Sequence, residues 1–478
     1  MTAQAPHELP IPGQRRAWWL REALAGEQPT LLAPSLFGEE KADVAIVGGG
    51  YTGMWTAYFL GEMAPQTRIV LLEADICGGG PSGRNGGFLH GWWEYLPYLA
   101  ERYGPADGLR VAQACDEVVD GVGEWCRRHA VDAWFTPSGY LRVNAFPGLA
   151  NDWGDTIGEM DRLGVPGQLV HMDRQAVQET CASPAFGEGL FMPSAATVQP
   201  ALLARGLRRV LLERGVRIHE GTGVEGIESR PGGVCLTTAR GSVRAERAVL
   251  AVNAWAAGWP GFRTRVLAWG SYMVLTEPIP DRLAELGWTG GEAIADSRFT
   301  ISYFRTTRDG RIAFGAGVGA AGFDGRIGPV FTHDRQAIER VVANFRHLFP
   351  MLSDVRIDDA WGGPIDITAD RFPEIGSRDG GRVLYAHGFA GNGVGPARLA
   401  GRILAARIAG GGDPIASLPL FGKRQRFLPP EPFRYLGARA IREALISQDD
   451  ALDAGRRSGL LTRLVALAPS LLGYRFKH

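Results

Sequence analysis

Two short apolar runs with a helical stretch between them lie near the start of the chain. Residues 43–47 read Asp-Val-Ala-Ile-Val, a β-branched run of the kind that is buried in a parallel sheet. A helical stretch then extends to Met63, and a second apolar run, residues 68–72, ends at Glu73. This order predicts a strand–helix–strand unit with an acidic residue at the end of its second strand.

The turn between this strand and helix has the spacing G-x-G-x-x-G at Gly48, Gly50 and Gly53. The first glycine permits a tight turn, the second lets the backbone approach a pyrophosphate, and the third lets the helix pack against the sheet. The helix N-terminus can bind phosphate, and the acid can accept hydrogen bonds from a ribose diol. The glycine spacing alone is weak evidence, but the whole unit predicts a dinucleotide site. Its expected cofactor contacts are Gly48, Gly50, Tyr51, Thr52, Gly53, Glu73 and Ala74.

A second glycine cluster follows this unit, and residues 77–88 read CGGGPSGRNGGF. A nicotinamide-binding domain does not require such a stretch directly after the ribose acid. The stretch could instead follow an extended cofactor such as FAD. The cofactor contacts expected here are Ser82, Arg84, Asn85, Gly86 and Gly87.

Length and charge narrow the classes of protein. A chain of 478 residues is too long for one core, so we expect two domains. Lys+Arg and Asp+Glu both number 51, and this balance gives no electrostatic case for nucleic acid, although a local anion site stays open. The 5 cysteines are scattered, which argues against a disulfide framework or a metal site and favours the reducing cytoplasm. We expect no signal peptide, because the first residues lack a basic start followed by an apolar run, and no run approaches the roughly 20 apolar residues of a membrane span.

Four segments resemble the D-amino-acid-oxidase-like (DAO) family of FAD-dependent amine oxidoreductases. They are DVAIVGGGYTGMWTAYFL with LLEAD, GPSGRNGGF, RAVLAVNAW and VLYAHGFAGNGV, spread over residues 43–394. The second segment, and the stretch FLPPEPFRYLGARAIREA that begins at Phe427, resemble the branch that contains gamma-glutamylputrescine oxidase. The resemblance therefore covers most of the chain.

The resemblance implies an α/β and α+β fold. A discontinuous Rossmann-like FAD-binding domain would be combined with a substrate domain built on a mixed or antiparallel sheet. We expect FAD-binding parts at 41–100, 196–260 and 361–420, substrate parts at 101–195 and 261–360, an N-terminal extension at 1–40 and a C-terminal helical tail at 421–478. Strand-like patterns at 270–277 and 312–317 belong to the substrate domain, and helical patterns at 106–129 and 199–214 would flank the sheets.

By the same resemblance, a strand at 383–386 feeds a glycine-rich loop at the flavin, and a helix begins near Pro396. Its N-terminus would favour a reduced, anionic flavin. The further cofactor contacts implied are Val224, Asn253, Trp255, Gly388, Gly391, Asn392, Gly393 and Val394. The segment GPSGRNGGF, residues 80–88, resembles the loop that contacts the flavin in the same branch, and we call it the flavin loop. We expect non-covalent FAD, because residues 78–88 contain no histidine and no cysteine, and the neighbouring Cys77 adjoins the ribose acid.

The chemistry implied is oxidation of an amine by hydride transfer to flavin N5, followed by hydrolysis of the imine to an aldehyde. Oxygen or another acceptor would reoxidise the flavin. The candidates for contact with the reacting groups are Arg84, Tyr303, Arg305 and Trp361. A solvated arginine, or plain core packing of the aromatic rings, is the alternative for each. We expect no metal at the site.

The substrate is expected to lack an α-carboxylate. Glycine-oxidase-like relatives carry a carboxylate-binding arginine three residues before a glycine that matches Gly310, whereas this chain has Thr307 there. Threonine cannot form a bidentate ion pair with a carboxylate. Arg305 and Arg308 lie close by, so another register stays open.

These features favour a polyamine-type amine of the gamma-glutamylputrescine kind. The alternatives are an aminoalkylphosphonate such as aminoethylphosphonate, an N-methyl, D-amino-acid or glycine substrate, and a flavin monooxygenase. A non-enzymatic binding module is a further class. Residues 458–476 are apolar at helical spacing and could touch a membrane surface, but we expect them to pack on the protein because Pro469 interrupts them.

Overall fold

The computed structural model describes residues 2–4, 16–27, 32–146, 153–410 and 412–475. The strands within these ranges are β1 (Thr2–Gln4), β2 (Gly38–Lys41), β3 (Val44–Val47), β4 (Ile69–Leu72), β5 (Phe88–Leu89), β6 (Tyr140–Val143), β7 (Val170–Met172), β8 (Gly189–Met192), β9 (Ala196–Thr197), β10 (Arg217–His219), β11 (Val224–Arg230), β12 (Gly233–Thr238), β13 (Gly241–Ala245), β14 (Arg247–Leu250), β15 (Leu267–Thr276), β16 (Ala293–Asp296), β17 (Ser302–Thr306), β18 (Ile312–Ala316), β19 (Ile357–Ile367), β20 (Glu374–Arg378) and β21 (Val383–His387). The α-helices are α1 (Trp18–Ala25), α2 (Tyr51–Met63), α3 (Leu96–Tyr103), α4 (Pro105–Arg128), α5 (Trp153–Arg162), α6 (Arg174–Thr180), α7 (Pro200–Glu213), α8 (Pro280–Glu285), α9 (Arg335–Leu348), α10 (Pro396–Ala409), α11 (Phe433–Asp453) and α12 (Leu460–Leu471).

The first sheet has six strands in the order β10-β4-β3-β14-β21-β20. All neighbours are parallel except β20, which runs antiparallel to β21. Every residue of β3 and β4 is buried, as the continuous apolar runs predict. The strands come from three separate parts of the chain, which confirms the discontinuous Rossmann-like sheet.

The second sheet has eight strands in the order β19-β15-β18-β17-β16-β6-β8-β7. It is mixed, because β16 pairs with β6 in parallel and the other pairs are antiparallel. Strand β19 belongs to this sheet over its whole length, so the predicted boundary at residue 361 cuts through a strand. This strand is difficult to recognise in the sequence because it contains Gly362, Gly363 and Pro364. Proline is tolerated here because β19 lies at the edge of the sheet.

The helices lie where the apolar patterns predict them, but one helix packs in a different domain from the one predicted for it. Helices α4 and α7 fall within one residue of their predicted bounds, and α2 ends at Met63 as predicted. Helix α4 was assigned mostly to the substrate domain, yet it packs against α10 beside the first sheet. The ring centroids of Trp125 in α4 and Trp55 in α2 lie 5.1 Å apart. The amphipathic face of α4 therefore joins the core of the nucleotide domain.

A third sheet, in the order β1-β11-β12-β13-β2, packs on the outer face of the first. A short ribbon of β5 and β9 continues the glycine-rich stretch at residues 80–88 into the centre of the molecule. These layers place the ends of β3, β4, β14 and β21 next to the face of the second sheet.

The C-terminal tail consists of α11 and α12 and is anchored to the second sheet by acidic side chains of α11. Asp449 accepts hydrogen bonds from the amides of Phe299 and Thr300, both at 3.0 Å, and from the Thr300 hydroxyl at 2.6 Å. Asp453 forms a bidentate ion pair with the buried Arg298, with both N–O distances 2.8 Å. The tail is therefore a fixed part of the protein surface.

Helix α12 packs against α11, as the sequence favoured, but part of its apolar surface is exposed. Pro469 lies inside the helix and is buried, but Leu460, Leu461 and Leu471 are 66–78% exposed. Only one side of the helix thus packs on the protein. Among the described residues, no helix is long and apolar enough to cross a bilayer.

Candidate cofactor and substrate cavities

A cavity of about 590 Å³ lies at the carboxyl ends of the parallel strands of the first sheet. Its wall includes the turns after β3, β4 and β14 and the loop between β21 and α10. In open α/β sheets, ligands bind at this end of the strands. The volume is within the range of small-molecule and cofactor sites.

The three glycines of the G-x-G-x-x-G motif have the different roles that the spacing predicts. Gly48 has φ +108°, and a Cβ there would lie 2.3 Å from the carbonyl oxygen of Ala251. A Cβ at Gly53 would lie 2.0 Å from the carbonyl oxygen of Gly48. At Gly50 the nearest atom to a Cβ is Ser82 Oγ at 3.1 Å. Gly48 and Gly53 are therefore required by packing, whereas Gly50 leaves space at the cavity wall.

Glu73 follows β4 and lines this cavity with a carboxylate that is already positioned. It accepts hydrogen bonds from the amides of Gly49 at 2.7 Å and Asp75 at 2.9 Å. Burial raises the pKa of Glu73 to about 7, although these two amides lower it. The carboxylate can still accept hydroxyl groups of a ribose on its remaining lone pairs.

The glycine-rich stretch at residues 79–87 is braced by its own polar side chains. Arg84 donates from Nε to the carbonyl oxygen of Gly79 at 2.9 Å and from Nη1 to that of Gly362 at 3.3 Å. Asn85 donates to the carbonyl oxygen of Pro81 at 3.0 Å. Burial lowers the pKa of Arg84 to about 10. The guanidinium of Arg84 thus supports the loop, and its predicted contact with a reacting group remains a prediction.

The loop before α10 is held by Asp366, a residue that the sequence interpretation missed. Its carboxylate accepts the amides of Gly388 at 2.6 Å and Phe389 at 3.1 Å, and it lines the first cavity. Burial raises the pKa of Asp366 to about 7, against the effect of the amides. An acid inside the apolar stretch 364–367 was the available signal.

The start of α10 offers free donors to the first cavity. In the described part of the chain, the amides of Gly393 and Val394 have no acceptor. Both residues line the cavity, as does Gly391. Together with the N-terminus of α2 and the acid Glu73, these groups fit an elongated dinucleotide with phosphates near one helix and an anionic ring near the other.

A second cavity of about 600 Å³ adjoins the first. Residues that line both are Pro81, Arg84, Asn85, Pro364, Ile365, Gly391 and Val394. Much of its remaining wall is aromatic or apolar and comes from the second sheet and the tail, including Phe88, Tyr140, Trp269, Tyr303, Phe433, Val465 and Leu472. The junction between the cavities is thus where a cofactor and a second molecule could meet.

Tyr303 is the predicted substrate-side residue that lies in this second cavity. Its hydroxyl is 2.8 Å from Ser271 Oγ, which also lines the cavity. Burial raises the pKa of Tyr303 to about 12, so the phenol stays neutral. The ring lies against the flavin-loop glycines, since a Cβ at Gly86 would be 3.1 Å from it.

Most predicted cofactor contacts line the first cavity: Gly48, Gly50, Tyr51, Thr52, Glu73, Ala74, Ser82, Arg84, Asn85, Val224, Asn253, Trp255, Gly391, Gly393 and Val394. Gly86 and Asn392 line the second. Gly53, Gly87 and Gly388 line neither, because Gly53 lies inside α2 against the Gly48 carbonyl oxygen and the other two lie in turns. Gly87 and Gly388 have φ +75° and +88°, and a Cβ at Gly87 would lie 2.0 Å from the carbonyl oxygen of Val198.

Two predicted catalytic residues lie away from both cavities. Arg305 is on the same face of β17 as Tyr303, but there Val198 covers the strand and accepts from its Nη1 at 2.5 Å. Burial lowers the pKa of Arg305 to about 9. Trp361 donates from Nε1 to the carbonyl oxygen of Arg84 at 2.9 Å and packs 6.1 Å from Trp19. Both side chains support the flavin-loop region from behind.

Thr307 does not lie at the substrate site, where the resemblance to glycine-oxidase-like proteins placed it. Its hydroxyl donates to Asp309 Oδ1 at 2.6 Å within the β17–β18 hairpin, and Gly310 has φ +78° in that turn. Thr307 lines neither cavity. The argument from position 307 is therefore corrected: the residue of β17 that lies at the cavity is Tyr303.

Comparison with known proteins agrees with this geometry. The family described as FAD dependent oxidoreductase (DAO) matches residues 43–407. The chain is 32% identical over 408 residues to a probable oxidoreductase OrdL of Rhizobium meliloti, covering 85% of this chain and 90% of that protein. It is 30% identical over 413 residues to the gamma-glutamylputrescine oxidoreductase of Escherichia coli, covering 83% and 91%.

Solved structures show the same fold. L-proline dehydrogenase from P. horikoshii superposes with a TM-score of 0.64 at 20% identity, over 80% of this chain and 96% of that one. Glycine oxidase from Geobacillus kaustophilus gives 0.62 at 20% identity, over 77% and 95%. The match to the family extends over most of the chain, and its residues form the cavity at the sheet ends. This protein therefore belongs to the DAO family of FAD-dependent oxidoreductases.

Proposed function

We propose that this protein oxidises a primary or secondary amine whose reacting carbon carries no carboxylate, such as a polyamine derivative. The imine product would hydrolyse to an aldehyde. Bound FAD would supply the two-electron acceptor for this oxidation. The similarity to the gamma-glutamylputrescine oxidoreductase of Escherichia coli supports an amine of this class.

The observation that carries the proposal is the composition of the junction between the cavities. Arg84 is the cation among its described lining residues, and carbonyl oxygens of Gly79 and Gly362 accept from its guanidinium. Pro364 and Ile365 are apolar neighbours. A carboxylate on the reacting carbon would have Arg84 as its cation here, and because Nε and Nη1 of Arg84 already donate to backbone carbonyl oxygens, a bidentate pair with that carboxylate would require those bonds to be broken.

The residues of the second cavity would bind and orient the amine. Aromatic and apolar walls lower the pKa of an enclosed ammonium group and so favour the neutral amine, which is the form that can be oxidised. The Tyr303–Ser271 pair can hydrogen-bond to a polar group at the wall. The tail residues on the other side of the cavity would exclude bulk water.

A substrate series tests this proposal. We expect kcat/KM for polyamine-type amines to exceed that for glycine, sarcosine and D-alanine by roughly a hundredfold, which corresponds to about 3 kcal/mol. If glycine or D-alanine were the best substrate, the enzyme would be an amino-acid oxidase and the proposal would be wrong.

An aminoalkylphosphonate such as aminoethylphosphonate is the second candidate, because arginines line the second cavity away from the junction. Including this compound in the same series separates the two candidates. A flavin monooxygenase would instead insert an oxygen atom into its substrate, which mass spectrometry of the product would reveal.

We infer that FAD is bound non-covalently. Among the described residues, no cysteine or histidine lines the first cavity, and Cys77 is buried behind Gly49. Acid precipitation should release the yellow colour into the supernatant. Colour that stays with the polypeptide would contradict this inference.

The electron acceptor and the cellular compartment are also proposals. Oxygen as acceptor predicts one peroxide for each amine oxidised, whereas a dye-dependent reaction without peroxide would indicate another acceptor. A cytoplasmic location is supported by cysteines that are all buried and unpaired. Cell fractionation would test it.

A further inference from the structure

The outer face of the C-terminal tail carries most of the large apolar side chains that are exposed in the described chain. Of fourteen such side chains, nine lie between Phe427 and Leu472. Leu460, Leu464, Leu467 and Leu471 recur at helical spacing and form one stripe along α12, on the side away from the buried Pro469. A contiguous apolar surface of this kind marks a site of interaction.

This leucine stripe adjoins the mouth of the second cavity. Phe433 in α11 and Leu472 at the end of α12 both line the cavity, and they are 69% and 67% exposed. The cavity therefore reaches the surface between the two helices. The Tyr474 hydroxyl donates to the carbonyl oxygen of Phe427 at 3.2 Å, which joins the end of α12 to the segment before α11. Exposed apolar side chains thus border the mouth on both helices.

The charge around the leucine stripe is positive. Residues 454–475 contain four arginines and no acidic residue. Arg456 and Arg457 are exposed directly before α12, and the exposed Arg463 lies beside the stripe, four residues before Leu467. The acidic side chains at the end of α11 are already paired, because Asp450 contacts Arg340 and Asp453 contacts Arg298.

A lipid surface with anionic head groups is complementary to this face. An apolar helix stripe can enter the boundary between head groups and acyl chains, while flanking arginines pair with lipid phosphates. The 12 residues of α12 are fewer than the roughly 20 of a membrane span, so the helix would lie in the plane of the surface. A second copy of the tail would bring arginines of the same charge together, which opposes self-association.

We propose that the outer face of α11 and α12 docks on an anionic lipid surface, with the leucine stripe in the head-group boundary and Arg456, Arg457 and Arg463 at the lipid phosphates. The mouth of the second cavity would then open at that surface. This inference concerns where the protein binds and does not depend on which amine it oxidises.

Co-sedimentation of the holoenzyme with vesicles tests the docking. Vesicles of phosphatidylcholine with phosphatidylglycerol supply the anionic surface, and vesicles of phosphatidylcholine alone supply the neutral one. We expect at least roughly tenfold stronger partition into the anionic vesicles, with a decrease as salt is added. No binding to the anionic vesicles, or equal binding to both compositions, would overturn the proposal.

Replacing leucines tests the apolar part of the contact. The double change Leu464→Glu with Leu467→Glu should lower partition into anionic vesicles by roughly a hundredfold, because two buried leucines are lost from the interface. Leu32→Glu is the matched control, since Leu32 is an exposed leucine outside the tail. Unchanged partition of the folded double variant would contradict the role of the stripe.

Replacing arginines tests the charged part. Arg456→Gln with Arg457→Gln should weaken binding to anionic vesicles by roughly tenfold or more and leave binding to neutral vesicles as it is. Arg127→Gln with Arg128→Gln is the matched control, because these are adjacent exposed arginines at the end of α4. An equal loss in this control pair would show that overall charge, and not the tail, determines the binding.

A fluorescent label locates the mouth of the cavity. All five native cysteines are buried, so Leu464→Cys or Phe433→Cys offers one accessible thiol for an environment-sensitive dye. Both labels should shift their emission to the blue with anionic vesicles, whereas a label at Leu32→Cys should not. A shift at position 464 without one at position 433 would show that the mouth does not lie at the lipid surface.

Sedimentation velocity without lipid distinguishes a protein partner from a membrane. If a second copy covered the leucine stripe, the wild type would form dimers that the Leu464→Glu and Leu467→Glu changes dissociate, and vesicles would not bind. If another protein covered it, the wild type would remain monomeric and vesicles would again not bind. Either result would overturn the assignment to lipid.

Discussion

The two adjoining cavities are built in different ways. The first is lined by several turns that contain glycine, with Gly48, Gly50, Gly391 and Gly393 at its wall. The second is lined by side chains from the second sheet, the flavin loop and the tail. Backbone turns depend on residue types at short fixed spacings, whereas a side-chain wall depends on how distant segments meet. The first cavity can therefore be recognised in a sequence, and the second becomes visible only in the fold.

The largest effect is expected at a glycine that the fold itself requires. Gly48→Ala would place a Cβ 2.3 Å from the Ala251 carbonyl oxygen at a residue with φ +108°. We expect the free energy of unfolding to fall by roughly 3 kcal/mol or more, with little folded protein recovered. Gly61→Ala in the same unit is the control, because no atom lies within 4 Å of its Cβ. A Gly48→Ala variant with the melting temperature of the wild type would show that the turn does not require glycine at this position.

A smaller but specific effect is expected at the glycine that leaves space for the cofactor. Gly50→Val should fold, because the nearest atom to its Cβ is a serine hydroxyl at 3.1 Å. Its side chain would occupy the expected place of the pyrophosphate, so FAD affinity should fall by roughly a hundredfold or more. Glu73→Gln should cost less, about 1–3 kcal/mol of binding energy. Equilibrium titration with FAD measures both, and unchanged affinity in both variants would remove the first cavity as the cofactor site.

The tail anchor should affect the second cavity and spare the first. Asp449→Asn weakens the bonds to Phe299 and Thr300 and should lower the free energy of unfolding by about 1–3 kcal/mol. We expect kcat/KM for the amine to fall while FAD affinity stays unchanged, and limited proteolysis should cut the tail faster. Asp450→Asn is the control, since Asp450 makes an exposed pair with Arg340. An equal loss of FAD would show that the two cavities are not independent.

The smallest effect is expected at the hydroxyl of Tyr303. Tyr303→Phe keeps the ring and loses the hydrogen bond to Ser271, 2.8 Å away. Such a bond contributes about 0.5–1.5 kcal/mol, so KM should change by up to roughly tenfold with FAD affinity unchanged. Ser271→Ala should have a similar effect, and the double variant should add little to either. Additive effects would show that the two hydroxyl groups act separately.

Sequence patterns predicted the elements around the first cavity because each signal there is local. The apolar runs of β3 and β4, the glycine spacing and the acid Glu73 lie within 31 residues of one another, from residue 43 to residue 73. Strand β19 was harder to recognise because it contains two glycines and a proline, which an edge strand accepts. Asp366 was missed for the same reason, because it lies in that strand.

The substrate side could be predicted only in part. Tyr303 and Arg305 have the same orientation on β17, and the sequence does not show that Val198 covers the second of them. Glu94 and Arg142, which line the second cavity, are 48 residues apart and meet because the turn before α3 lies beside β6. Contacts between residues far apart in the sequence have no characteristic spacing, so this pair could not be predicted from the sequence.

The C-terminal tail lies outside the part of the chain that matches the family. The match to the DAO family ends at residue 407, whereas α11 and α12, which wall the second cavity, begin at Phe433. The turns that line the first cavity thus lie within the family match, whereas one wall of the second cavity lies outside it. Substitutions in α11 or α12 would therefore change the wall of the second cavity and leave the glycine turns and the parallel sheet as they are.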